Sequence, residues 1–213
     1  MQPDAPTTPR LILASASPAR LRTLRDAGLD PEVVVSDVDE SGVAAETPAA
    51  TAELLAGMKA RAVAERLGAT GSGRLVLGCD SLLEFDGAAL GKPGTAQVAL
   101  ERWRRMRGGT GVLHTGHCLI DAATGRLESA VASTIVHFAD VPDSEIMAYV
   151  ATGEPLVVAG AFTLDGLGGA FVESIEGDHH NVVGVSLPLL RRMVAAFGVS
   201  WPQLWTRRSE ARD

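Results

Sequence analysis

Apolar residues in this chain recur at two spacings, every second position and every third or fourth. The two patterns take turns along the sequence. Arg10 to Ala14 reads as a short apolar strand that runs into Ser15-Ala16-Ser17-Pro18. Ser17 suits a helix N-cap and Pro18 the first helical position, so a helix is predicted to about Ala27, with Gly28 as its stop. Glu32 to Ser36 alternates as a strand and leads into Asp37-Val38-Asp39-Glu40. On a strand, Asp37 and Asp39 would share a face and Glu40 would take the other. Residues 41–48 read as a linker. A long helix is predicted from Thr51 to Leu67, where Leu55, Lys59, Val63 and Leu67 fall on one i, i+4 line. A lysine inside an apolar stripe either lays its stem along the core edge with its ammonium in water or points into a cleft. Thr95 caps a helix from Ala96 to Arg107. Two extended runs follow, Gly111 to Ala122 and Arg126 to Ala139, and then helices from Pro142 to about Thr152 and from Leu187 to Phe197. Strands alternating with helices give an α/β class, and two consecutive long strands make the sheet mixed.

The stretch on which the rest is organised is 76–93, VLGCDSLLEFDGAALGKP. Its apolar run ends on Gly78-Cys79-Asp80-Ser81, continues as Leu82 to Phe85, turns at Asp86-Gly87 and returns to Gly91-Lys92-Pro93. Asp-Gly is a strong hairpin signal, so part of the stretch needs no further explanation than a turn. Asp80 is different, because a carboxylate closing an interior strand is costly unless it is paired or metal-bound. Asp80 and Lys92 can meet across the mouth of the hairpin, the first holding a metal or a water and the second a phosphate. This is not a Walker A loop: three residues separate Gly87 from Gly91 where four are needed, and Pro93 stands in place of the hydroxyl residue.

Of the remaining polar residues, the strand feeding Ser17 and its helix is a ready anion site, to which Arg20 adds a fork for phosphate oxygens. His114 and His117 are three apart on a strand and face opposite sides, so they read as structural. Asp178-His179-His180 read as loop residues, since adjacent histidines seldom reach one ion. Gly166-Leu167-Gly168-Gly169 is not a dinucleotide fingerprint, because a strand and not a helix follows. No Gly-x-Ser-x-Gly elbow is present.

Composition narrows the class. The 213 residues suffice for a sizeable core, and the 46% hydrophobic and 21% charged content is that of a globular protein. No apolar run is long enough for a membrane span. A net charge of −7 argues against nucleic acid as the partner and leaves room for one small phosphorylated ligand. Cys79 and Cys118 lie in apolar runs and read as reduced, buried thiols of a cytoplasmic protein. Residues 1–9 read as a disordered tail and not a signal peptide.

Several pieces together resemble the Maf family, nucleoside triphosphate pyrophosphatases named for effects on septum formation. They are LILASASPARLRTL at 11–24, Asp39-Glu40, MKARAVA at 58–64, VLGCDS at 76–81, LGKP at 90–93, GEP and AGAF within 153–162, and EGDHHNVVGVSLPLL at 176–190. They stand in family order across residues 10–197, with 198–213 as an appendage. The resemblance implies one domain of two lobes around a nucleotide-binding cleft, with a mixed twisted sheet and flanking helices. It implies hydrolysis of an ordinary or modified nucleoside triphosphate to the monophosphate and pyrophosphate, with magnesium or manganese and possible homodimerisation. Residue by residue, it gives catalytic roles to Asp80, as proton acceptor, and to Glu40, Lys59 and Lys92. It gives metal binding to Glu40 and Asp80, and substrate contacts to Ser15, Ser17, Arg20, Ser81 and Asp165. Lys59 is thereby assigned to the cleft. The alternative it carries is a nucleotide-binding regulator of cell division that needs no turnover. The chain departs from the family pattern at Ala19, where an arginine is usual, and at Ser81, where a threonine is usual. Val157-Val158 replaces Asp-Lys, and Asp165 replaces Gln or Glu. On the last two features it resembles the 7-methyl-GTP-type branch more than the pyrimidine-type branch.

Overall fold

In the computed structural model the described residues are 9–68 and 73–206. A single seven-stranded mixed sheet runs through the molecule in the order β2-β1-β3-β5-β6-β7, with β4 paired to the far half of β3. The strands are β1 (Arg10–Leu13), β2 (Glu32–Val33), β3 (Arg74–Phe85), β4 (Ala88–Leu90), β5 (Thr110–Asp121), β6 (Leu127–Phe138) and β7 (Val172–Glu176). β1 is parallel to both neighbours, and every other pairing is antiparallel. The helices are α1 (Pro18–Asp26), α2 (Pro48–Leu67), α3 (Ala96–Met106), α4 (Asp143–Ala151), α5 (His179–Val183) and α6 (Leu187–Ala196).

The capping logic holds at the starts of α1, α2, α3 and α6, whereas α4 follows Pro142 and has no side-chain cap. The side chains of Ser17, Thr47, Thr95 and Ser186 each accept a hydrogen bond from a backbone N–H of the first turn. Because Thr47 is the cap, α2 begins at Pro48, a turn earlier than the apolar line alone predicts. Four further expectations change. The strand after Glu32 ends at Val33, so Asp37, Asp39 and Glu40 lie on irregular chain and strand alternation does not set their facing. β3 does not stop at Asp80 but continues unbroken to Phe85, because β5 pairs it from Leu75 to Glu84. A 3-10 turn, Leu167–Phe171, precedes β7. Asp178-His179-His180 is not loop: Asp178 caps α5, and the two histidines form its first turn. The expected tail at 1–9 lies outside the described residues except for Pro9, and so does 207–213 of the appendage. Of the two tryptophans there, Trp205 is half exposed and lies against Gly28.

Apolar packing forms one cluster around the β3–β4 hairpin, α3 and α4, and two more on opposite faces of the β1 end. Trp103 of α3 is fully buried in the first and donates its indole N–H to Ala161 O at 2.7 Å. It meets Phe138, Tyr149 and Phe171 edge to face, contacts worth about 0.5–1.5 kcal/mol each beyond area burial. On the other side, α2 lies directly on β3 and β5. This is possible because Gly78 and Gly116 carry no Cβ: one at Gly78 would strike Ala56 O, and one at Gly116 would strike Ala52 O.

His114 and His117 are structural, as expected. His114 bridges Ser133 and Glu84. His117 is fully buried, pairs with Thr115 O and accepts the backbone N–H of Ser186 at 2.9 Å. That acceptor role needs a neutral ring, and burial pushes its pKa down from 6.5 to about 4. The sign follows from linkage: the unfolded chain takes up the proton first, so stability present above pH 6.5 is lost as pH falls towards 4. At most about 1.4 kcal/mol is lost per pH unit. Urea unfolding between pH 7 and 4.5 should show this slope in the wild type, and His117→Gln should flatten it. Equal slopes would mean that other groups control acid sensitivity.

Candidate active site

β3 is the backbone of the site. Its interior pairing fixes Asp80 and Ser81 in adjacent positions, whose side chains point to opposite faces of the strand. Asp80 faces α2. There Lys59 donates to Asp80 Oδ1 at 2.5 Å and makes a second ion pair with Glu40 Oε1 at 2.8 Å. Lys59 and Asp80 are buried, whereas the Glu40 side chain is 47% exposed. The close approach of α2 to the sheet at Gly78 is what brings Lys59 within reach of Asp80. Cutting either partner from such a pair costs far more than the pair itself contributes, because the other charge stays buried.

Ser81 belongs to a second network. Arg20 donates from Nη2 to Ser81 Oγ at 3.0 Å, from Nη1 to Ser15 Oγ at 3.0 Å and from Nε to Gly184 O at 2.8 Å. Thr115 donates its hydroxyl proton to Asn181 O at 3.0 Å. The hydroxyl of Ser81 therefore donates to Thr115 Oγ1 at 2.9 Å and accepts from Arg20. Arg20 is buried and fixed by three partners, so it braces the cleft wall and keeps only part of its fork for a ligand.

Between the carboxylate pair and the β3–β4 hairpin lies a cleft of about 520 Å³. Glu40, Asp80, Ser81 and Lys92 line it together with the loop 43–48 and small residues of β4. Lys92 is exposed there and makes no ion pair among the described residues. The structure thus brings Asp80, Glu40 and Lys59 together on one face of β3 and Ser81, Arg20 and Ser15 together on the other, with Lys92 across the cleft. Two sequence candidates stand apart. Ser17 is occupied as the α1 cap, accepting from Arg20 N. Asp165 does not line the cleft; its carboxylate is held by Arg22 at 2.6 Å.

Sequence reasoning gave no role to Glu154, which it quoted only within the motif GEP. Its carboxylate accepts from Tyr149 Oη, Thr163 Oγ1, Leu167 N and Gly168 N. Burial acts to raise its pKa, but these donors outweigh it and hold the group below the ordinary value. The loop that carries Asp165 is anchored this way. Thr115 and Asn181 were also missed, and only their fully buried polar side chains mark them out. Thr51, on the cleft wall, hydrogen-bonds Ala45 N and so holds the 43–48 loop to α2.

Comparison with known proteins finds relatives along nearly the whole chain. The Maf-like protein family model matches residues 10–197. A "Nucleoside triphosphate pyrophosphatase" of Salinispora tropica is 60% identical over 199 residues, 93% of this chain and 88% of that protein. One of Streptomyces coelicolor is 58% identical over 196 residues, 92% and 94% of the two chains. One of Synechococcus elongatus is 52% identical over 199 residues, 93% and 98%.

Proposed function

The chain belongs to the Maf family, and on that premise we propose that it is a nucleoside triphosphate pyrophosphatase. It cleaves its substrate between the α and β phosphates, releasing the nucleoside monophosphate and pyrophosphate. The observation that carries this reading is the convergence of two carboxylates, Asp80 and Glu40, on the Lys59 ammonium beside a cleft that holds Lys92. A module built only to bind a polyanion has no use for two carboxylates there.

The donor set fits magnesium or manganese. Both acids offer hard oxygen ligands to one cleft, and their reach to a common cation is already seen in the shared ammonium. Asp80 and Glu40 would hold the ion, with substrate oxygens completing its shell. When bound, it supplies charge neutralisation on the phosphates. The chain's own residues do the rest. Asp80 takes the proton of the attacking water as the new P–O bond forms on the α phosphorus. The bond from that phosphorus to the bridging oxygen breaks, and its electrons leave with the pyrophosphate. Lys59 aims the Asp80 carboxylate, and Lys92 meets the polyphosphate from the hairpin side. No covalent intermediate is needed.

For the base, Asp165 and the absence of the Asp-Lys pair at Val157-Val158 support a broad preference tilted towards modified purines. Val157 is largely exposed and Asp165 is anchored to Arg22 near the first helix, so a base reaching it would have to displace an ion pair. The test is pyrophosphate release from dTTP, UTP, CTP, GTP and 7-methyl-GTP with magnesium or manganese, on the wild type and on Asp165→Asn. Monophosphate and pyrophosphate are the expected products, and orthophosphate alone would contradict the reaction. The Asp165→Asn change should lower kcat/KM for 7-methyl-GTP relative to dTTP by severalfold. An unaltered ratio with a strong dTTP preference would remove Asp165 from base selection.

A further inference from the structure

Outside the cleft, the described residues contain one group of metal-ligating side chains close enough to share an ion, Asp178, His179 and His180. Their ligand atoms all lie within 4.8 Å of one another. The capping of α5 makes this possible. With Asp178 Oδ1 fixed on His180 N at 3.0 Å, the two rings leave the same turn and lie 3.7 Å apart, centre to centre. Adjacent histidines on extended chain would diverge. His180 Nδ1 sits 3.2 Å from Asp178 Oδ1. Ligand atoms bound at about 2.1 Å stand roughly 3.0–3.4 Å apart, depending on whether the ion is octahedral or tetrahedral, so this pair already has a chelate's bite. The other oxygen, Asp178 Oδ2, is buried and receives no hydrogen bond among the described residues, which leaves the carboxylate one partner short. His179 is exposed. His180 borders a surface cavity of about 640 Å³ beside Arg191, Trp201 and Trp205, with room for water to complete a coordination shell.

We propose that Asp178, His179 and His180 form a binding site for a borderline divalent metal ion, Zn²⁺, Ni²⁺ or Cu²⁺, separate from the cleft. Two imidazoles and one carboxylate select these ions over Mg²⁺ and Mn²⁺, which prefer the all-oxygen set of Asp80 and Glu40. The ligands are side-chain atoms, and His180 binds through Nδ1 with its ring proton on Nε2. The site also bears on the active centre through α5. The carbonyl of Asn181 accepts from Thr115, and that of Gly184 accepts from Arg20. An ion that clamps the first turn therefore stiffens the element on which Arg20 rests.

The test uses the full chain without a polyhistidine tag, titrated with Zn²⁺ against a chromophoric chelator in millimolar Mg²⁺. One Zn²⁺ per chain is expected. In His179→Gln/His180→Gln, affinity should fall by at least about tenfold, since even loss of a ligand's supporting partner costs 10–100-fold. Zn²⁺ should raise the melting temperature of the wild type and not that of the double variant. The electron paramagnetic resonance spectrum of the Cu²⁺ form should show nitrogen coupling, lost in the same variant. Binding should persist in Glu40→Gln/Asp80→Asn, whose hydrolysis is expected to fail. No Zn²⁺ binding by the wild type, or equal binding by the histidine double variant, overturns the proposal and leaves the assignment of the cleft untouched.

Discussion

Asp80→Asn should lower turnover by at least the roughly 10²–10⁴-fold typical of a lost acid–base group, while nucleotide binding persists. The side chain keeps its size and its place in the middle of β3. What it loses is the basic oxygen and the negative charge. Lys59 is not stranded, because it retains Glu40 at 2.8 Å, and that partner reaches out to solvent. The folded protein should therefore survive the change, which separates a chemical defect from a collapse of the site. The measurements are kcat for pyrophosphate release, together with nucleotide affinity by calorimetry and the urea midpoint. A near wild-type kcat would show that Asp80 is not the proton acceptor and would move that role to Glu40. A large loss of stability alongside the loss of rate would instead make Asp80 a partner whose main task is to hold Lys59.

The second large effect is expected at the glycine that pairs with Asp80 across the sheet. Gly116→Val should destabilise the protein by at least about 3 kcal/mol, the upper end of what overpacking usually costs. A Cβ on residue 116 meets Ala52 O, Ala52 C and Glu53 N, which are backbone atoms of α2 and cannot rotate away. Relief requires α2 to lift from the sheet, and Lys59 rides on that helix. Activity should fall with stability, and the residual folded protein should show a weakened Lys59–Asp80 contact. Chemical denaturation of Gly116→Val against Gly125→Ala separates packing from simple loss of glycine. Gly125 has a positive φ with open space around it, so its substitution strains only the local backbone. Equal losses in the two variants would show that the tight seat of α2 is not a main source of stability.

Much of this molecule was legible from residues alone, and for local reasons. Ser17-Pro18, Thr95 and the Asp86-Gly87 turn act within a few positions, so caps and the hairpin could be placed without a structure. Period alone separated α2 from the long strands β5 and β6. The cost of a buried carboxylate and of an in-stripe lysine marked Asp80 and Lys59, the hairpin set Lys92 opposite Asp80, and only the family resemblance gave Glu40 a role. Tertiary structure decided what these signals could not carry. Whether Lys59 turns outward or into a cleft depends on how closely α2 sits on the sheet. That is fixed by Gly78 and Gly116, which look like ordinary strand glycines until the helix is placed over them. Arg20 looks like a free phosphate fork in sequence, but its partners Gly184 and Ser81 lie 164 and 61 positions away. Glu154 is a lone acid beside a proline until the 163–168 loop folds back onto it. The pairing of Asp178 with both histidines needs the first turn of α5, which is too short for any periodicity to reveal. Local chemistry is written over a few residues, whereas the partner that makes a buried charge affordable usually lies far along the chain.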